Sequence, residues 1–430
     1  METVSDIRDS GLCTQCGTCI ALCPFNAIKM IKSNSKGVYL PLIDKEACKN
    51  CGLCVKCCPG HFVDLKELGK FFDSQHSDIY LGRYLSCWVA HANDYKIRYN
   101  SASGGIVTQL LVFMLEKGLI DGALVIKMKE DRPLEPLPFI AKTKQEIIYA
   151  SKSKYCPVPA NIALKKVLKE DGRFAVVGLP CHIHGIRKAE LLNPELRKKI
   201  VLHVSLMCSH MVNFLGTEFI LNKLHIPKEQ VSSLSYRGKG WPGAMKIKLE
   251  NKCSIRLPLV GSWNSYWSIF SSFFFIPTRC TLCPDQTGEL ADISLGDAWL
   301  PELKSDKVGK SIIITRTRAA ENMLLNMASS KVISLVAVPP QKVKQSQQIN
   351  LKFKKDDLGT RLTLARFFGK QTPIFIPSQR SWSFAAFLRA FYIYFNIKVS
   401  SSKSMRDLLS FLPFPFFRLY FGLYKLLCLA

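Results

Sequence analysis

Two cysteine runs near the start of the chain constrain its fold more than any other feature. Residues 13–24 read CTQCGTCIALCP and residues 48–59 read CKNCGLCVKCCP, so the spacing C-x-x-C-x-x-C-x-x-x-C-P occurs twice. A [4Fe-4S] cluster needs four thiolates, and in this spacing three come from one run and the fourth from the other. The pattern predicts two clusters, with the ligand sets Cys13, Cys16, Cys19 and Cys58, and Cys48, Cys51, Cys54 and Cys23. Cys57 is left without a role.

Zinc sites and disulfides are two other uses of clustered cysteines. The consecutive runs crowd too many thiolates for one tetrahedral zinc ion. Disulfides need an oxidising compartment, yet the N-terminus METVSDIRDSG shows no apolar run behind a basic start, so we expect no secretory signal. We expect a cytoplasmic protein. Residues 5–65 resemble a bacterial-type two-cluster ferredoxin, and we place this domain at residues 1–70.

Charge points to the kind of partner that the chain binds. The 430 residues have room for about three domains. Lys and Arg outnumber Asp and Glu by 59 to 33, which gives a formal charge of +26. Such an excess favours phosphate-bearing cofactors, acidic carrier proteins, nucleic acid or a membrane surface, and charge alone does not choose among them.

The segment SASGGIVTQLL predicts a helix whose first turn suits an anion. Ser101 or Ser103 can cap this helix, and Gly104 and Gly105 allow close backbone approach. Unpaired N–H groups at a helix start attract phosphate. An ordinary glycine-containing cap explains the same residues equally well.

Alternating strand and helix patterns predict an α/β core with at least partly parallel strands. Cys181 and Cys208 each follow a predicted buried strand, at the edge where α/β sheets build their sites. RCTLCPD adds Cys280 and Cys283 with C-x-x-C spacing. These four thiolates suit a third [4Fe-4S] cluster or a zinc ion, and spacing does not decide between them.

A wider resemblance rests on seven phrases in order: SASGGIVTQLL, YCPVPANIALKKVL, RFAVVGLPCHIHGIRK, SLMCSH, SYRGKGWPG, RCTLCPD and ADISLGDAW. Together they resemble the beta-subunit family of coenzyme F420 hydrogenases and dehydrogenases, where F420 is a 5-deazaflavin. The resemblance implies an FAD-containing reductase region, which we place at residues 80–345. It implies a third [4Fe-4S] cluster, with the ligands Cys181, Cys208, Cys280 and Cys283. It also implies that Ser103, Gly104 and Gly105 lie near the flavin.

Two polar residues in the matched phrases are candidate cofactor contacts. Arg237 can bind a phosphate or carboxylate bidentately, and Asp297 can accept from a ribose hydroxyl or a backbone N–H. Each also has a structural interpretation, Arg237 as a surface residue and Asp297 as part of a turn. No catalytic residue is assigned. His182 and His184 are two residues apart at a helix start and point differently, so at most one can carry protons near a flavin.

The last part of the chain, residues 346–430, predicts a basic and aromatic helical extension. The basic and polar residues 341–361, which overlap its start, predict a solvated linker or surface helix. The segments SWSFAAFLRAFYIYFNIKV and LLSFLPFPFFRLYFGLYKLLCLA are interrupted by charges and prolines, which makes them poor membrane spans. They predict interfacial helices at a lipid boundary, or helices packed on the core or on a partner subunit.

The predicted fold is an α+β ferredoxin-like N-terminal module, an α/β flavin-binding reductase core and a helical C-terminal extension. The predicted function is an iron-sulfur flavoprotein oxidoreductase that passes electrons between [4Fe-4S] clusters and FAD, to or from an organic acceptor. A deazaflavin coenzyme or another small molecule, for instance in a surface-polysaccharide pathway, is the expected substrate. The alternative is an electron-transfer subunit without its own substrate chemistry. Expected partners are a ferredoxin or redox subunit and the inner face of the membrane, with no nucleic acid.

Overall fold

The computed structural model describes residues 2–72, 74, 76–376 and 382–429. All cysteines predicted as cluster ligands lie within these residues, as do residues 103–105, Arg237 and Asp297. Of the predicted C-terminal extension, residues 377–381 and 430 lie outside the described part.

The N-terminal module is built on two similar turns, one at each cysteine run. Gly17 (φ 86°) and Gly52 (φ 73°) follow the second cysteine of each run, and their left-handed backbone reverses the chain before a short helix. The segment between the runs forms an antiparallel hairpin. The elements are α1 (Val4–Asp9), α2 (Thr18–Ala21), β1 (Ile28–Ser33), β2 (Val38–Ile43), α3 (Leu53–Lys56), β3 (Phe62–Asp64) and α4 (Leu65–Leu68).

The central part of the chain alternates strands and helices. Its first half contains β4 (His76–Asp78), β5 (Gly82–Tyr84), β6 (Ser86–Ala92), α5 (Tyr95–Asn100), α6 (Ile106–Glu116), β7 (Gly122–Met128), β8 (Pro136–Ala141), α7 (Lys144–Tyr149), α8 (Leu164–Lys169), β9 (Phe174–Gly178), α9 (Pro180–Leu192), α10 (Pro194–Lys199), β10 (Ile200–Leu206) and α11 (Phe214–Lys223). Its second half contains β11 (Val231–Ser235), β12 (Ala244–Leu249), β13 (Ser254–Pro258), α12 (Trp267–Ser271), α13 (Thr278–Thr281), β14 (Ile293–Asp297), β15 (Ser311–Thr315), α14 (Arg318–Ser329), β16 (Ile333–Ala337), α15 (Pro340–Leu351), α16 (Leu358–Phe367) and β17 (Ile374–Ile376).

An eight-stranded sheet organises this central part, in the order β16-β6-β15-β14-β10-β9-β7-β8. The four strands β14, β10, β9 and β7 are parallel, and Phe174, Val176 and Val204 on two of them are fully buried, as expected for parallel strands covered on both faces. Strand β6 points the same way as β14, because both run antiparallel to β15. The expected mixed α/β core is confirmed. The carboxyl ends of β6, β14, β10 and β9 therefore share one edge of the sheet.

Helix α6 starts differently from the prediction. Its N-cap is Gly105 (φ 80°), and no side chain caps the helix. Ser101 and Ser103 instead donate to main-chain carbonyls, one in α5 and one in the β14–β15 connection. The predicted serine cap is wrong, because both hydroxyls already hold the loop to its neighbours.

The solvated character predicted for residues 341–361 is also wrong in part. The segment forms α15, a π-helical turn at residues 352–356 and the start of α16. Lys354, Lys355 and Arg361 are buried, and each donates to a carbonyl or carboxylate of the interior. The basic run therefore carries cations into the core, although it reads as a surface segment.

The N-terminal module is fixed to the core at several points. Strand β3 pairs in parallel with β17. The Gly37 carbonyl, at the tip of the β1–β2 hairpin, accepts from the Phe214 N–H at 2.8 Å. Lys188 of α9 donates to the Cys58 carbonyl at 2.8 Å, and Arg279 of α13 donates to two main-chain carbonyls at residues 59 and 60.

The C-terminal segment forms α17 (Phe384–Ser401), α18 (Lys403–Phe411) and α19 (Phe414–Leu429). Helices α17 and α19 pack together, and the rings of Tyr392 and Tyr420 stack with centroids 4.9 Å apart. Arg389 of α17 forms a bidentate ion pair with Asp357, with both hydrogen bonds at 2.8 Å. None of the helices in the described residues combines the length and apolar content that crossing a bilayer would need.

Candidate iron-sulfur and cofactor site

The structure brings Cys13, Cys16, Cys19 and Cys58 together inside the N-terminal module. Burial and the neighbouring Cys58 raise the pKa of Cys13. Burial, followed by Cys16 and Cys13, raises the pKa of Cys19. Burial and Cys16 raise the pKa of Cys58 to about 11. Cys57 is fully buried in the same group, where it also adds to the rise at Cys19.

Cys23, Cys48, Cys51 and Cys54 line a separate recess at the surface of the module. Cys51 is exposed and the other three are half-buried. The two groups have the same members as the two ligand sets predicted from the cysteine spacing, and this second group lies closer to solvent than the first. That they ligate clusters stays a prediction.

Four further cysteines meet at the carboxyl edge of the large sheet. Cys181 lies in the first turn of α9 after β9, Cys208 follows β10, and Cys280 and Cys283 lie in and just after α13. Burial, followed by three thiols of this set and by Cys16, raises the pKa of Cys181. Burial raises the pKa of Cys208 to about 12. No three His, Cys, Asp or Glu side chains among the described residues converge tightly enough for a single metal ion.

Asn161 connects the N-terminal module to the helix that carries Cys181. Its side chain is fully buried and donates to Thr18 Oγ1 at 2.8 Å and to the His182 carbonyl at 2.9 Å. Its backbone N–H donates to the Cys16 carbonyl at 2.8 Å. One asparagine therefore fixes the position of Cys16 relative to α9.

Two buried lysines from the π-helical turn lie beside the third cysteine set. Lys354 Nζ donates to the Cys280 carbonyl at 3.3 Å, and its charge opposes the rise that burial causes in the pKa of Cys208 and Cys280. Lys354 forms no ion pair within the described part of the chain, whereas Lys355 pairs with Glu289 at 2.5 Å. The sequence offered no signal for Lys354, because its run of lysines resembles a solvated face.

The residues predicted to lie near a flavin form the turn before α6, at the same sheet edge. The Gly104 N–H donates to Ser311 Oγ at 3.0 Å, and the Ser103 hydroxyl donates to a main-chain carbonyl at 2.8 Å. The N–H groups of Ile106 and Val107, at the start of α6, have no acceptor among the residues that the structure describes. They are among the donors that this turn offers to an anion.

Arg237 and Asp297 bind each other. The guanidinium donates to the two carboxylate oxygens at 2.7 and 3.0 Å, and Trp241 Nε1 donates to the same carboxylate at 2.8 Å. Burial opposes the charge on Arg237, but the Asp297 carboxylate outweighs burial and raises the pKa of the guanidinium. A direct contact of either residue with a cofactor stays a prediction.

Lys152, Lys239, Lys246 and Lys248 form a cluster that the sequence did not reveal. Burial, followed by the other three lysines, lowers the pKa of Lys152. Lys152 lies against Gly238, next to Arg237. The four lysines form no ion pair within the described residues. The fold brings Lys152 to the other three, which lie within residues 239–248, and their combined charge suits an anion.

The two histidines beside Cys181 point in different directions, as expected. His182 Nδ1 accepts from the Leu179 N–H at 3.1 Å, and burial lowers the pKa of His182 to about 4. His184 Nε2 lies 2.8 Å from the buried Asp285 carboxylate. Burial opposes the charge on Asp285, but His184 outweighs it and lowers the pKa of Asp285 to about 2.

Comparison with known proteins places the cysteine runs and the core in described families. Residues 12–62 match a 4Fe-4S dicluster domain. Residues 87–165 match the N-terminal part of the coenzyme F420 hydrogenase/dehydrogenase beta subunit, and residues 171–341 match its C-terminal part.

Two relatives have names that refer to coenzyme F420. The coenzyme F420 hydrogenase subunit beta of Methanothermobacter thermautotrophicus is 31% identical over 253 residues, which cover 57% of this chain and 81% of that protein. The coenzyme F420-dependent sulfite reductase of Methanocaldococcus jannaschii is 27% identical over 370 residues, 82% of this chain and 51% of that protein.

A chain of the F420-reducing [NiFe] hydrogenase complex from Methanosarcina barkeri, from a xenon-derivatised structure, shares the fold. The TM-score is 0.54 at 24% identity, and the match covers 70% of this chain and 99% of that chain. From the two matched family models and the relative at 31% identity, the chain belongs to the coenzyme F420 hydrogenase/dehydrogenase beta-subunit family of oxidoreductases.

Proposed function

We propose that the chain is an iron-sulfur flavoprotein oxidoreductase that connects a protein electron donor to an organic acceptor through three [4Fe-4S] clusters and FAD. The third cysteine set supports this most directly. Four thiols from three separate segments meet at the carboxyl edge of the sheet. One of them, Cys181, lies close enough to Cys16 that the charge of Cys16 adds to the rise that burial causes in its pKa. Four cysteine thiolates make up the ligand set of a [4Fe-4S] cluster, which is larger than a single metal ion.

The order of the three cysteine sets suggests how electrons travel. The set around Cys51 lies at the surface, the set around Cys16 is buried behind it, and the set around Cys181 lies in the core. [4Fe-4S] clusters supply one-electron transfer. If the three cysteine sets hold clusters in this order, a docked donor would reach the surface set first. Electron flow in the reverse direction uses the same path.

A bound FAD would couple these single electrons to two-electron chemistry on the acceptor. The free N–H groups at the start of α6 and the ammonium of Lys152 would hold its phosphates. Arg237 would have a positioning role. Together with Trp241 it donates to Asp297 at the end of β14, which keeps residues 237–243 against the sheet edge. A deazaflavin acceptor accords with the names of the relatives.

Metal and flavin analysis of the anaerobically purified chain tests the proposal. About twelve irons and one flavin per chain are expected, four irons for each cluster. The double variant Cys280→Ser, Cys283→Ser should lose about four irons. The matched variant Cys253→Ser, at an exposed cysteine outside the three sets, should keep all of them. Eight irons in the unaltered chain, or no flavin, would contradict the proposal.

A second candidate function is an electron-transfer subunit whose substrate chemistry occurs in a partner. Two comparisons favour it: the Methanothermobacter relative is named as a hydrogenase subunit, and the matched structure is one chain of a hydrogenase complex. Reduction of a panel of organic acceptors, including deazaflavins, by the single purified chain distinguishes the two. Turnover by the single chain supports the autonomous enzyme, and turnover only after a partner subunit is added supports the second candidate.

A further inference from the structure

The three C-terminal helices have a fixed orientation on the core. Arg389 of α17 is buried and paired with Asp357, and Asn396 donates to the Ser272 carbonyl at 2.6 Å. Phe417 of α19 is fully buried and packs edge-on against the rings of Phe219 and Phe274. These contacts define which faces of the helices point toward the core, and the opposite faces point outward.

The outward faces are apolar. On α17 the exposed residues Phe384, Leu388, Phe391 and Phe395 repeat at steps of four, three and four, which places them along one side of the helix. Phe391 is 64% exposed. Helices α18 and α19 add further exposed large side chains: Leu408, Phe411, Phe416, Leu419, Leu423 and Leu426. Soluble monomers rarely leave so many large apolar side chains uncovered, and such surfaces mark interaction sites.

Basic residues accompany these apolar faces. Residues 382–429 contain six Lys or Arg and a single acid, Asp407. Lys398, Arg418 and Lys425 are exposed, and none forms an ion pair within the described part of the chain. Arg418 lies over the exposed ring of Trp263, with 4.5 Å between the guanidinium carbon and the ring centroid.

We propose that the outward faces of α17, α18 and α19 bind an anionic membrane surface, with the aromatic and leucine side chains at the acyl boundary and the lysines and arginines at lipid phosphates. Aromatic and leucine side chains combined with cations, nearly without acids, are the composition of interfacial helices. A second copy of the chain fits less well, because face-to-face pairing would bring these cations together. Protein interfaces are also depleted in lysine.

Vesicle sedimentation with the full-length, anaerobically purified chain tests the proposal. The chain should pellet with vesicles that contain phosphatidylcholine and phosphatidylglycerol, and far less with phosphatidylcholine alone. The double variant Phe391→Glu, Phe395→Glu should weaken binding at least about tenfold, since it removes two inserted rings. The double variant Arg418→Gln, Lys425→Gln should weaken binding about fivefold or more for each charge.

The matched control is the double variant Tyr149→Glu, Val336→Glu, which alters equally exposed side chains on α7 and β16 and should bind as the unaltered chain does. Iron content and far-UV circular dichroism identify any variant that fails to fold. If the phenylalanine variant fails to fold, the variant of Arg418 and Lys425 decides. Equal binding to both vesicle types, no binding, or unchanged binding by both test variants would overturn the proposal. Light scattering that shows a dimer dissociated by the phenylalanine variant would overturn it too, and would assign the faces to contacts between copies. The vesicle-binding and light-scattering results do not depend on the flavin or on electron transfer.

Discussion

Lys354 is a buried cation beside four thiols, and this arrangement makes sense if the thiols carry a negatively charged cluster. Removing one partner of a buried ion pair destabilises a fold by about 3–5 kcal/mol, because the other charge stays buried without compensation. Lys354 has no carboxylate partner within the described residues, and its ammonium donates to the Cys280 carbonyl. A cluster ligated by four thiolates would supply the missing negative charge.

Replacing Lys354 by Met should lower the midpoint potential of the cluster that we assign to the set around Cys181. Reduction adds negative charge, which the ammonium stabilises. Its loss should shift the potential by roughly 50–100 mV, as Coulomb's law gives for a charge several ångströms away at an effective dielectric constant near 20. A redox titration followed by electron paramagnetic resonance measures the shift.

The control for this experiment is the double variant Lys355→Met, Glu289→Gln. It removes one positive charge from the same π-helical turn and the negative charge that pairs with it, so the potential should change little. An unchanged potential in Lys354→Met would mean that its charge does not act on this cluster.

At the scale of elements, the contact between α2 and α9 sets the distance between the N-terminal module and the core. Gly185 of α9 faces Thr18 of α2 so closely that an added Cβ would overlap with the threonine hydroxyl. Gly185→Ala should therefore push the two helices apart. Overpacking of this kind costs about 1–3 kcal/mol, and the separation should also slow electron transfer between the module and the core.

Thermal unfolding, and stopped-flow reduction of the cluster that we assign to the set around Cys181, test this prediction. Gly422→Ala in α19 is the matched control, because an added Cβ there meets no atom within 4 Å. The control should be neutral or stabilising by about 0.4–1 kcal/mol, as is usual when alanine replaces glycine without strain. Equal behaviour of the two variants would contradict the proposed role of this contact.

Short-range sequence patterns predicted the parts of the site that depend on spacing. The two cysteine runs, and the positions of Cys181 and Cys208 after buried strands, could be read directly. The role of Asn161 could not be predicted, because its partner Thr18 lies 143 residues away in the chain. The role of Lys354 could not be predicted either, because a run of lysines normally stays in water, and the burial of Lys354 depends on what the fold brings next to it.

For the whole molecule, the formal charge of +26 should govern the encounter with an electron donor. The rate constant for reduction by an acidic ferredoxin should fall by about tenfold or more as salt shortens the range of attraction. Stopped-flow measurements at several ionic strengths give this dependence. Reduction by the cation radical of methyl viologen is the comparison, and its rate should stay constant or rise. A ferredoxin rate that is independent of salt would show that the net charge does not guide docking.

The attachment of the N-terminal module at Gly37, Cys58 and β3 has a kinetic consequence. A carrier domain on a flexible tether must swing between donor and acceptor, and solvent friction slows that motion. Here the hairpin tip, the second cysteine run and the last strand of the module are each hydrogen-bonded to the core. Electron transfer from module to core therefore needs no swinging, and its rate should be the same in buffer and in viscous glycerol solution.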